Sequence, residues 1–466
     1  MVPMQASARP IDQALGSSFR DPAGFVFRTG GVVYRQVSDV YAEHYDYLMA
    51  SGLYETLTER RLLIPHAEVH LPARPATGVH RILRPEQIPS LSYPYEWCFG
   101  QLKDAALTTL AVQRTAIEHG MSLKDASAYN IQFRGSQPVL IDTLSFEIYK
   151  EGQAWAGYRQ FCQHFLAPLA LMSMVDVRLA QLLRIHIDGV PLDLASRMLP
   201  ARTYLRPSLL LHVHLHAKAQ GRFSESAVKP NSRRMGRNAM LGLIDSLTSA
   251  VDGLGWEPQG TVWADYDQHT NYSSEASRHK EDIVQAFLAT TDARMVWDLG
   301  ANCGRFSRMA ASLGGYAVAF DADYGAVESH YRICRAAGEP TTLPLVLDLT
   351  NPSPALGWAH DERLAWAQRG PVDVVMALAL LHHLAIGNNV PLPQIAALLH
   401  RLGARLIIEF VPKGDSQVQR LLASREDVFG NYSQVAFEHA FERHFRIQQA
   451  IPIRDSQRVL YLVEGR

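Results

Sequence analysis

The chain is 466 residues long, and 47% of its residues are hydrophobic and 20% charged, a composition typical of a globular protein with two or three domains. The formal net charge is −1 and the isoelectric point is near 7.0, so the composition does not indicate a polyanionic partner or an anionic membrane surface. The cysteines are widely spaced without a Cys-x-x-Cys pair, which favours reduced thiols over disulfides or structural zinc. The N-terminus shows no signal-peptide pattern, and the most apolar stretch is interrupted by Pro168 and Asp176. We therefore expect a cytoplasmic protein without a membrane span.

The first 220 residues predict an α+β domain. Two strand-like runs flank Gly30 and Gly31, a dipeptide typical of a β-hairpin turn. A long helical pattern covers residues 96–120, and two short apolar runs, NIQF and PVLIDT, then surround another turn. From residue 155 to about 220 the pattern is mostly helical.

A polar, basic segment at 221–238 is the best candidate for a domain boundary. We interpret its RRMGR run as solvated linker, and a helical pattern, AMLGLIDSLTSAVDGLG, follows it. The predicted organisation is an α+β domain at 1–220, a linker and helix at 221–262, and an α/β domain at 263–466.

From about residue 295 onward, short apolar runs alternate with helical patterns. The runs are RMVWDLG, YAVAFDAD, TTLPLVLDL, VDVVMALAL and ARLIIEFV. This alternation predicts β-α-β units of a doubly wound parallel sheet. Two final runs, FRIQQAIPI and RVLYLVEG, predict an antiparallel hairpin that closes the sheet edge, which gives seven strands.

The first of these strands ends in a glycine-rich turn. Asp298, Gly300, Asn302 and Gly304 follow the pattern D-x-G-x-N-x-G and not the G-x-G-x-x-G of dinucleotide sites. Such a turn lets a ligand without phosphates lie against the backbone at the start of the next helix. We expect Asp298 to lie near a cationic amino group.

Acidic residues also follow the next two strands. Asp321 ends the second strand, with Asp323 close by, where a carboxylate accepts hydrogen bonds from ribose hydroxyls. Asp348 and Leu349 end the third strand, where they would face the edge of adenine. The set fits a nucleoside that carries a zwitterion, S-adenosyl-L-methionine.

With these motifs, residues 263–466 resemble class I S-adenosylmethionine-dependent methyltransferases. The segments VWDLGANCG, AVAFDAD, LVLDL, VDVVMALALLHHL and RLIIEF occur in order before the closing hairpin. The resemblance implies a Rossmann-like seven-stranded sheet that binds S-adenosyl-L-methionine. It also implies that the segment before the sheet, which includes Tyr272, folds over the cofactor.

The methyl acceptor should lie beyond the carboxyl ends of the fourth and fifth strands. His382 and His383 follow the fourth strand, and Glu409 lies at the end of the fifth. A histidine with a near-neutral pKa is a suitable base for a hydroxyl. We therefore predict catalytic roles for these three residues, and O-methylation of a small molecule or glycan-type metabolite.

Other acceptors have weaker support. The Asp/Asn-Pro-Pro-Tyr/Phe motif of adenine and glutamine N-methyltransferases is replaced by ALALLHH. Lys280 and Lys413 suit the Lys-Asp-Lys-Glu set of RNA ribose methyltransferases, but the acid of the fourth strand is missing and the chain is not basic. RNA or protein methylation and a non-catalytic nucleotide-sensing protein stay open as alternatives.

Part of the N-terminal domain resembles protein kinases and small-molecule phosphotransferases. In LKDASAYNIQF and PVLIDT, the resemblance implies that Asp125 is a base and that Asn130 and Asp142 bind magnesium. However, Leu123 replaces the histidine of His-x-Asp, the hairpin lacks G-x-G-x-x-G, and only Arg35 could substitute for the usual lysine. We expect a degenerate kinase-like domain that binds a substrate or partner, with a bifunctional kinase-methyltransferase as the alternative.

His212, His214 and His216 alternate along a histidine-rich run. On a strand they would share a face and could bind a metal, whereas on a helix only the first and last would align. No cysteine or carboxylate lies nearby in the sequence, so we predict no metal site.

The whole chain, with SYPYEWCFGQLKDAAL and LKDASAYNIQF, also resembles a bacterial family that includes a rhizobial host-specific nodulation protein. That resemblance implies a methyltransferase with an upstream accessory domain. It leaves the acceptor and the oligomeric state open.

Overall fold

A computed structural model of the chain describes residues 15–71, 78–218, 235–258, 273–423 and 426–466. Tyr272 and residues 221–234 of the predicted linker lie outside the described residues. Among the described residues, no helix combines the length and apolar character needed to cross a membrane.

Within the described residues, the N-terminal half begins with four strands and two α-helices: β1 Gly24–Thr29, β2 Val32–Ser38, α1 Ala42–Ala50, α2 Leu53–Glu59, β3 His66–Glu68 and β4 Val79–Pro85. The strands form an antiparallel sheet in the order β1-β2-β4-β3. β1 and β2 are the predicted hairpin. Gly30 and Gly31 at its turn have φ of 59° and 83°, the left-handed conformation that a two-residue hairpin turn of this type requires.

A long helix and four short strands follow: α3 Phe99–Glu118, β5 Met121–Leu123, β6 Ile131–Arg134, β7 Gln137–Leu140 and β8 Phe146–Ile148. β6 and β7 pair as the predicted second hairpin, and β5 pairs with β8. The β5–β8 pairing brings the loop after β5 close to the loop after β7.

The next segment is helical, as the sequence predicts: α4 Tyr158–Phe161, α5 Ala167–Met174, α6 Leu182–Ile185, α7 Leu192–Met198, α8 Pro207–Leu209 and α9 Arg237–Asp252. α9 packs against α3. The Lys103 ammonium on α3 donates to the carbonyls of Asp252 and Leu254 at 3.0 and 2.8 Å. The helix that follows the basic segment therefore contacts the N-terminal half.

The described C-terminal half contains seven strands and six α-helices: α10 Ser274–Ala289, β9 Met295–Leu299, α11 Arg305–Ser312, β10 Tyr316–Asp321, α12 Tyr324–Ala337, β11 Thr342–Val346, β12 Val372–Ala377, α13 Leu392–Leu402, β13 Gly403–Phe410, α14 Ser416–Leu422, α15 Gln434–Glu442, β14 Phe445–Pro452 and β15 Val459–Gly465. They form one sheet in the order β11-β10-β9-β12-β13-β15-β14. β9 to β13 are mutually parallel, whereas β15 is antiparallel to both of its neighbours. The predicted seven-stranded sheet with its closing hairpin is confirmed.

The inner strands of this sheet are apolar on both faces because helices cover both. Trp297, Val318, Val375 and Ile407, each from a different strand, are at most 1% exposed. Strands that are buried on both faces have nearly continuous apolar sequences, and these strands could therefore be predicted from the sequence. The strand order reverses between β9 and β12, and a crevice forms at such a point.

The two halves pack against each other at the β11 edge of the sheet. The Gln101 amide on α3 donates to the Pro344 carbonyl of β11 at 2.9 Å. Glu96 and Arg369, at most 3% exposed, form an ion pair with a 2.8 Å contact between Nη1 and Oε2. The N-terminal half thus covers an edge strand that would otherwise expose unpaired backbone groups.

Candidate active site

A cavity of about 320 Å³ opens at the carboxyl ends of β9 to β12, at the reversal point of the strand order. The predicted site residues that line it are Asp298, Gly300, Asn302, Asp321, Asp348, Leu349 and His383. Four other predicted site residues that the structure describes do not line the cavity: Gly304, Asp323, His382 and Glu409. Segments far apart in the sequence thus meet around one cavity.

The turn after β9 presents backbone to the cavity. Gly300 and Gly304 have φ of 75° and 78°, and Asn302 has φ of 50°. These left-handed conformations are without steric cost only for glycine. The amides of Gly300 and Ala301 donate to the Phe320 carbonyl at 2.8 and 3.0 Å. Main-chain hydrogen bonds to β10 therefore hold the turn.

Gly304 lies immediately before α11 and contacts His330 of α12. A Cβ atom at Gly304 would lie 1.9 to 2.3 Å from the atoms of the His330 ring. His330 is 1% exposed, and burial lowers its pKa to about 3. The ring is therefore neutral, and it packs so closely on the turn that only glycine fits.

The Asp298 carboxylate is buried beside the cavity. Its Oδ2 accepts a hydrogen bond from the Ser307 hydroxyl at 2.6 Å. Burial raises the pKa of Asp298 to about 6, while Ser307 opposes this rise, Asp321 adds to it and Lys280 opposes it. An ammonium group beside Asp298 would favour its ionised form. This carboxylate therefore fits the predicted amino group.

The Asp321 carboxylate borders the cavity at the end of β10. It accepts from the amides of Asn302 and Asp323 at 2.8 and 2.9 Å, and burial raises its pKa. Asp323 instead accepts from the amides of Gly325 and Ala326 at 2.7 and 3.2 Å. Asp323 therefore caps α12, and Asp321 is the carboxylate available to a ligand.

The third side of the cavity follows β11. Asp348 Oδ1 accepts from the amide and the hydroxyl of Thr350 at 2.8 and 2.7 Å. Leu349 adds an apolar surface beside this carboxylate. A polar edge next to an apolar wall suits the edge and face of a purine ring.

His382 and His383 follow β12, and their ring centroids lie 4.2 Å apart. His383 lines the cavity, and burial, with Arg458 nearby, lowers its pKa. His382 is 2% exposed, and burial and the neighbouring His383 lower its pKa to about 3. Ala379, which also lines the cavity, has φ of 52°, a backbone strain of the kind that accumulates at functional sites. Both histidines are neutral at pH 7, and only His383 reaches the cavity.

Glu409 lies behind the cavity in a buried ion network. Its carboxylate accepts from Lys280 at 2.7 Å and from Arg458 at 3.3 Å, and Arg458 also donates to Asp415 at 2.7 Å. Glu409 is 0% exposed. Lys280 bridges this network to the cavity, which it lines.

Several lining residues were missed by the sequence analysis: Ser277, Arg305, Phe306, Thr350, Leu380 and Asn388. Ser277 lies on α10 three positions before Lys280, and residues at this spacing share one face of a helix. A helical pattern around Lys280 could therefore have indicated Ser277. For Leu380 and Asn388, the loop after β12 has no periodic pattern that would indicate them.

In the N-terminal half, the structure brings Asp125, Asn130 and Asp142 together. Asn130 donates to Ser145 at 3.2 Å, and Ser145 donates to Asp142 at 2.8 Å. Burial and the neighbouring Asp142 raise the pKa of Asp125. Arg35, on β2, places Nη2 2.9 Å from Asp142 Oδ1 and thus provides a cation at this cluster. The kinase-like fold stays a prediction.

The histidine run lies on a helix. His212 and His214 belong to a π-helical stretch, Leu210–Leu215, and both are 0% exposed. His212 contacts the hydroxyls of Tyr158 and Ser246, each at 2.8 Å. Among the described residues, no cluster of His, Cys, Asp and Glu could hold a metal ion.

The strand order and the single antiparallel strand β15 give the C-terminal half the topology of class I methyltransferases. The glycine turn and three carboxylates meet at the carboxyl edge of this sheet, and methyltransferases of this fold use S-adenosyl-L-methionine as their cofactor.

No family model matches the chain. The chain is 35% identical to nodulation protein NoeA of Rhizobium meliloti (strain 1021), over 98% of this chain and 97% of that protein. The chain belongs to the NoeA family.

Solved methyltransferases are similar to part of the chain. Magnesium protoporphyrin IX methyltransferase (ChlM) from Synechocystis PCC 6803, with bound SAH, is 16% identical with a TM-score of 0.30, over 45% of this chain and 90% of that one. N-methyltransferase NodS from Bradyrhizobium japonicum WM9 is 9% identical with a TM-score of 0.30, over 41% of this chain and 98% of that one. Likenesses at this level say nothing about the reaction, and the fold itself is read from the strand order of the sheet.

Proposed function

We propose that the chain transfers a methyl group from S-adenosyl-L-methionine to a hydroxyl of a small molecule or glycan-type metabolite. The observation that carries the proposal is the convergence of Asp298, Asp321, Asp348 and His383 on one cavity. Three carboxylates suit a cationic nucleoside, and a neutral imidazole suits the removal of a proton. In this proposal, residues 263–466 carry the activity.

The residues of the cavity fit this cofactor in kind and in position. Asp298 would bind the ammonium group, Asp321 the ribose hydroxyls, and Asp348 with Leu349 the adenine. Gly300 and Asn302 would offer the backbone of the turn. When bound, the cofactor supplies an electrophilic methyl group on a positively charged sulfur. The chain supplies orientation, which can account for much of the rate of such a displacement.

His383 would be the base. Its pKa is lowered by burial and by Arg458, so the ring is neutral at pH 7 and can accept the proton that the acceptor hydroxyl loses. His382, packed behind it at 4.2 Å between centroids, would hold the orientation of His383. Glu409, fully buried with Lys280 and Arg458, would stabilise the floor of the cavity and not touch the acceptor.

The proposal is tested by methyl transfer to fractionated acceptors. The full chain would be incubated with methyl-labelled S-adenosylmethionine and, separately, with the oligosaccharide, polar-metabolite, RNA and protein fractions of a bacterial lysate. Label should enter the oligosaccharide or metabolite fraction, and His383→Ala should abolish transfer while still binding S-adenosylhomocysteine. Label in RNA or protein would contradict the proposed acceptor. Cofactor binding without transfer to any fraction would favour a nucleotide-sensing protein.

For the N-terminal half, 1–220, we propose acceptor or partner recognition without phosphoryl transfer. Asp142 already accepts from the Leu144 amide at 2.9 Å, from Ser145 at 2.8 Å and from Arg35. These contacts leave it poorly suited to a magnesium ion, which prefers carboxylates free to coordinate in octahedral geometry. A calorimetric titration with magnesium-ATP should give no binding heat. Heat that disappears in Asp142→Ala would instead support the bifunctional kinase-methyltransferase.

A further inference from the structure

One short segment of the N-terminal half contacts both loops on the nucleoside side of the cavity. The Gln181 side-chain amide donates to the Tyr324 hydroxyl at 3.0 Å and to the Tyr95 carbonyl at 2.8 Å. The Arg184 guanidinium donates to the carbonyl and the side-chain oxygen of Asn351 at 3.3 and 3.1 Å. Tyr324 and Asn351 belong to the C-terminal half, so these are contacts between the two halves.

Each contact lies next to a carboxylate that lines the cavity. Tyr324 is the first residue of α12 and directly follows Asp323, whose amide donates to Asp321 at 2.9 Å. The Asn351 amide donates to the Asp348 carbonyl at 3.0 Å. Each anchor is therefore three positions from a carboxylate of the cavity, and a shift of Tyr324 or Asn351 would be transmitted to Asp321 or Asp348.

The two loops are also joined to each other. The Leu347 amide donates to the Asp321 carbonyl at 2.8 Å, so the ends of β10 and β11 form one unit. Gln181 contacts this unit after β10, at Tyr324, and Arg184 contacts it after β11, at Asn351. The opposite wall is held from within the C-terminal half, where the Asp298 carboxylate accepts from the Ser307 hydroxyl of α11 at 2.6 Å.

We propose that Gln181 and Arg184 are positioning residues for the cofactor, through which the N-terminal half sets the affinity of the nucleoside side of the cavity. This inference rests on the proposed function, because it assumes that a nucleoside occupies the cavity. A neutral or singly charged hydrogen bond contributes enough to change a binding constant about threefold to tenfold. Each residue should have an effect of that size, and the two effects should add approximately.

The test compares two ligands that share the nucleoside. S-adenosylhomocysteine carries the ammonium and carboxylate groups, and 5′-methylthioadenosine lacks both. Binding of each to the full chain would be measured by calorimetry for the wild type, Gln181→Ala, Arg184→Ala, the double variant and Arg184→Lys. Arg197→Ala is the matched control, because Arg197 is 81% exposed and pairs with Asp193 of its own helix. Melting temperatures would be recorded for all variants.

We expect Gln181→Ala and Arg184→Ala each to weaken the binding of both ligands by the same factor, about threefold to tenfold. Arg184→Lys should restore part of the affinity that Arg184→Ala loses. The melting temperatures of the variants should equal that of the wild type. Asp298→Asn should show the opposite selectivity, with a loss confined to S-adenosylhomocysteine. Unchanged affinities in the double variant would overturn the inference. The inference would also be overturned if the loss of affinity accompanied a fall in melting temperature and Arg184→Lys did not restore the affinity. If the wild type binds neither ligand, the proposed function itself fails.

Discussion

Replacing Gly304 with alanine tests whether the turn after β9 needs glycine for the steric reason seen in the structure. The residue has φ of 78°, and a Cβ atom would lie 1.9 to 2.3 Å from the His330 ring. The left-handed backbone costs a non-glycine residue about 1–2 kcal/mol. Displacing a packed neighbour costs about 1–3 kcal/mol more. The total, about 2–5 kcal/mol, should be divided between the free energy of unfolding and the affinity for S-adenosylhomocysteine.

The assay is urea unfolding together with calorimetry, on two matched backgrounds. Gly338→Ala is the control for the backbone term alone, because Gly338 has φ of 63° and no atom lies within 4 Å of its Cβ position. In a His330→Ala background, Gly304→Ala should cost only the backbone term. The difference between the two backgrounds should be about 1–3 kcal/mol, the coupling typical of residues in contact. If Gly304→Ala costs no more than Gly338→Ala in both assays, the steric reasoning is refuted.

Three further predictions concern charge. Burial raises the pKa of Asp298 to about 6. The affinity for S-adenosylhomocysteine should therefore fall about tenfold per pH unit below that value, because the protonated carboxyl cannot pair with the ammonium group. An equal fall for 5′-methylthioadenosine would contradict the assigned ammonium contact. Glu409→Gln leaves the buried Lys280 without its carboxylate and should lower the free energy of unfolding by about 3 kcal/mol. Asp427→Asn, at the more exposed pair with Lys413, should have a much smaller effect, and similar losses in the two variants would argue against the buried network. Burial lowers the pKa of His212 to about 4. Between about pH 6.5 and 4, this histidine is therefore protonated in the unfolded chain and neutral in the folded chain. Stability in urea should therefore fall as the pH decreases through that window, less steeply in His212→Gln, and an unchanged slope would show that His212 does not contribute.

The C-terminal sheet could be predicted from the sequence because its strands are buried on both faces. Runs such as VVMA and LII are apolar without interruption, and helical patterns separate most of them. Right-handed crossovers then allow few sheet orders. The carboxylates at the strand ends could be predicted for the same reason, since parallel strands bring their carboxyl ends to one edge.

The finer arrangement of the site could not be predicted in this way. His382 and His383 are adjacent in the sequence. A π-helical turn, His383–Gly387, interrupts the regular helical spacing there, so the sequence pattern does not indicate which of the two histidines faces the cavity. Glu409 ends a strand, as a ligand-binding acid would. Its burial depends on Lys280 and Arg458, which come from distant segments. Long-range pairings of this kind have no local signature.

The contacts between the two halves are a further case. Gln181 meets Tyr324 across 143 positions of the chain, and Glu96 meets Arg369 across 273. Each of these residues is unremarkable in its own segment. Only the folded structure shows that these segments of the two halves are in contact.

The proposed function requires that the cavity at the carboxyl ends of β9 to β12 bind S-adenosylmethionine through Asp321 and its neighbours. The most direct measurement is a calorimetric titration of the full chain with S-adenosylhomocysteine, repeated on Asp321→Ala. We expect one-site binding by the wild type and about tenfold to hundredfold weaker binding by the variant, the range for hydrogen bonds to a charged group. Absence of binding heat in the wild type, or equal affinity in Asp321→Ala, would show that this cavity is not the cofactor site.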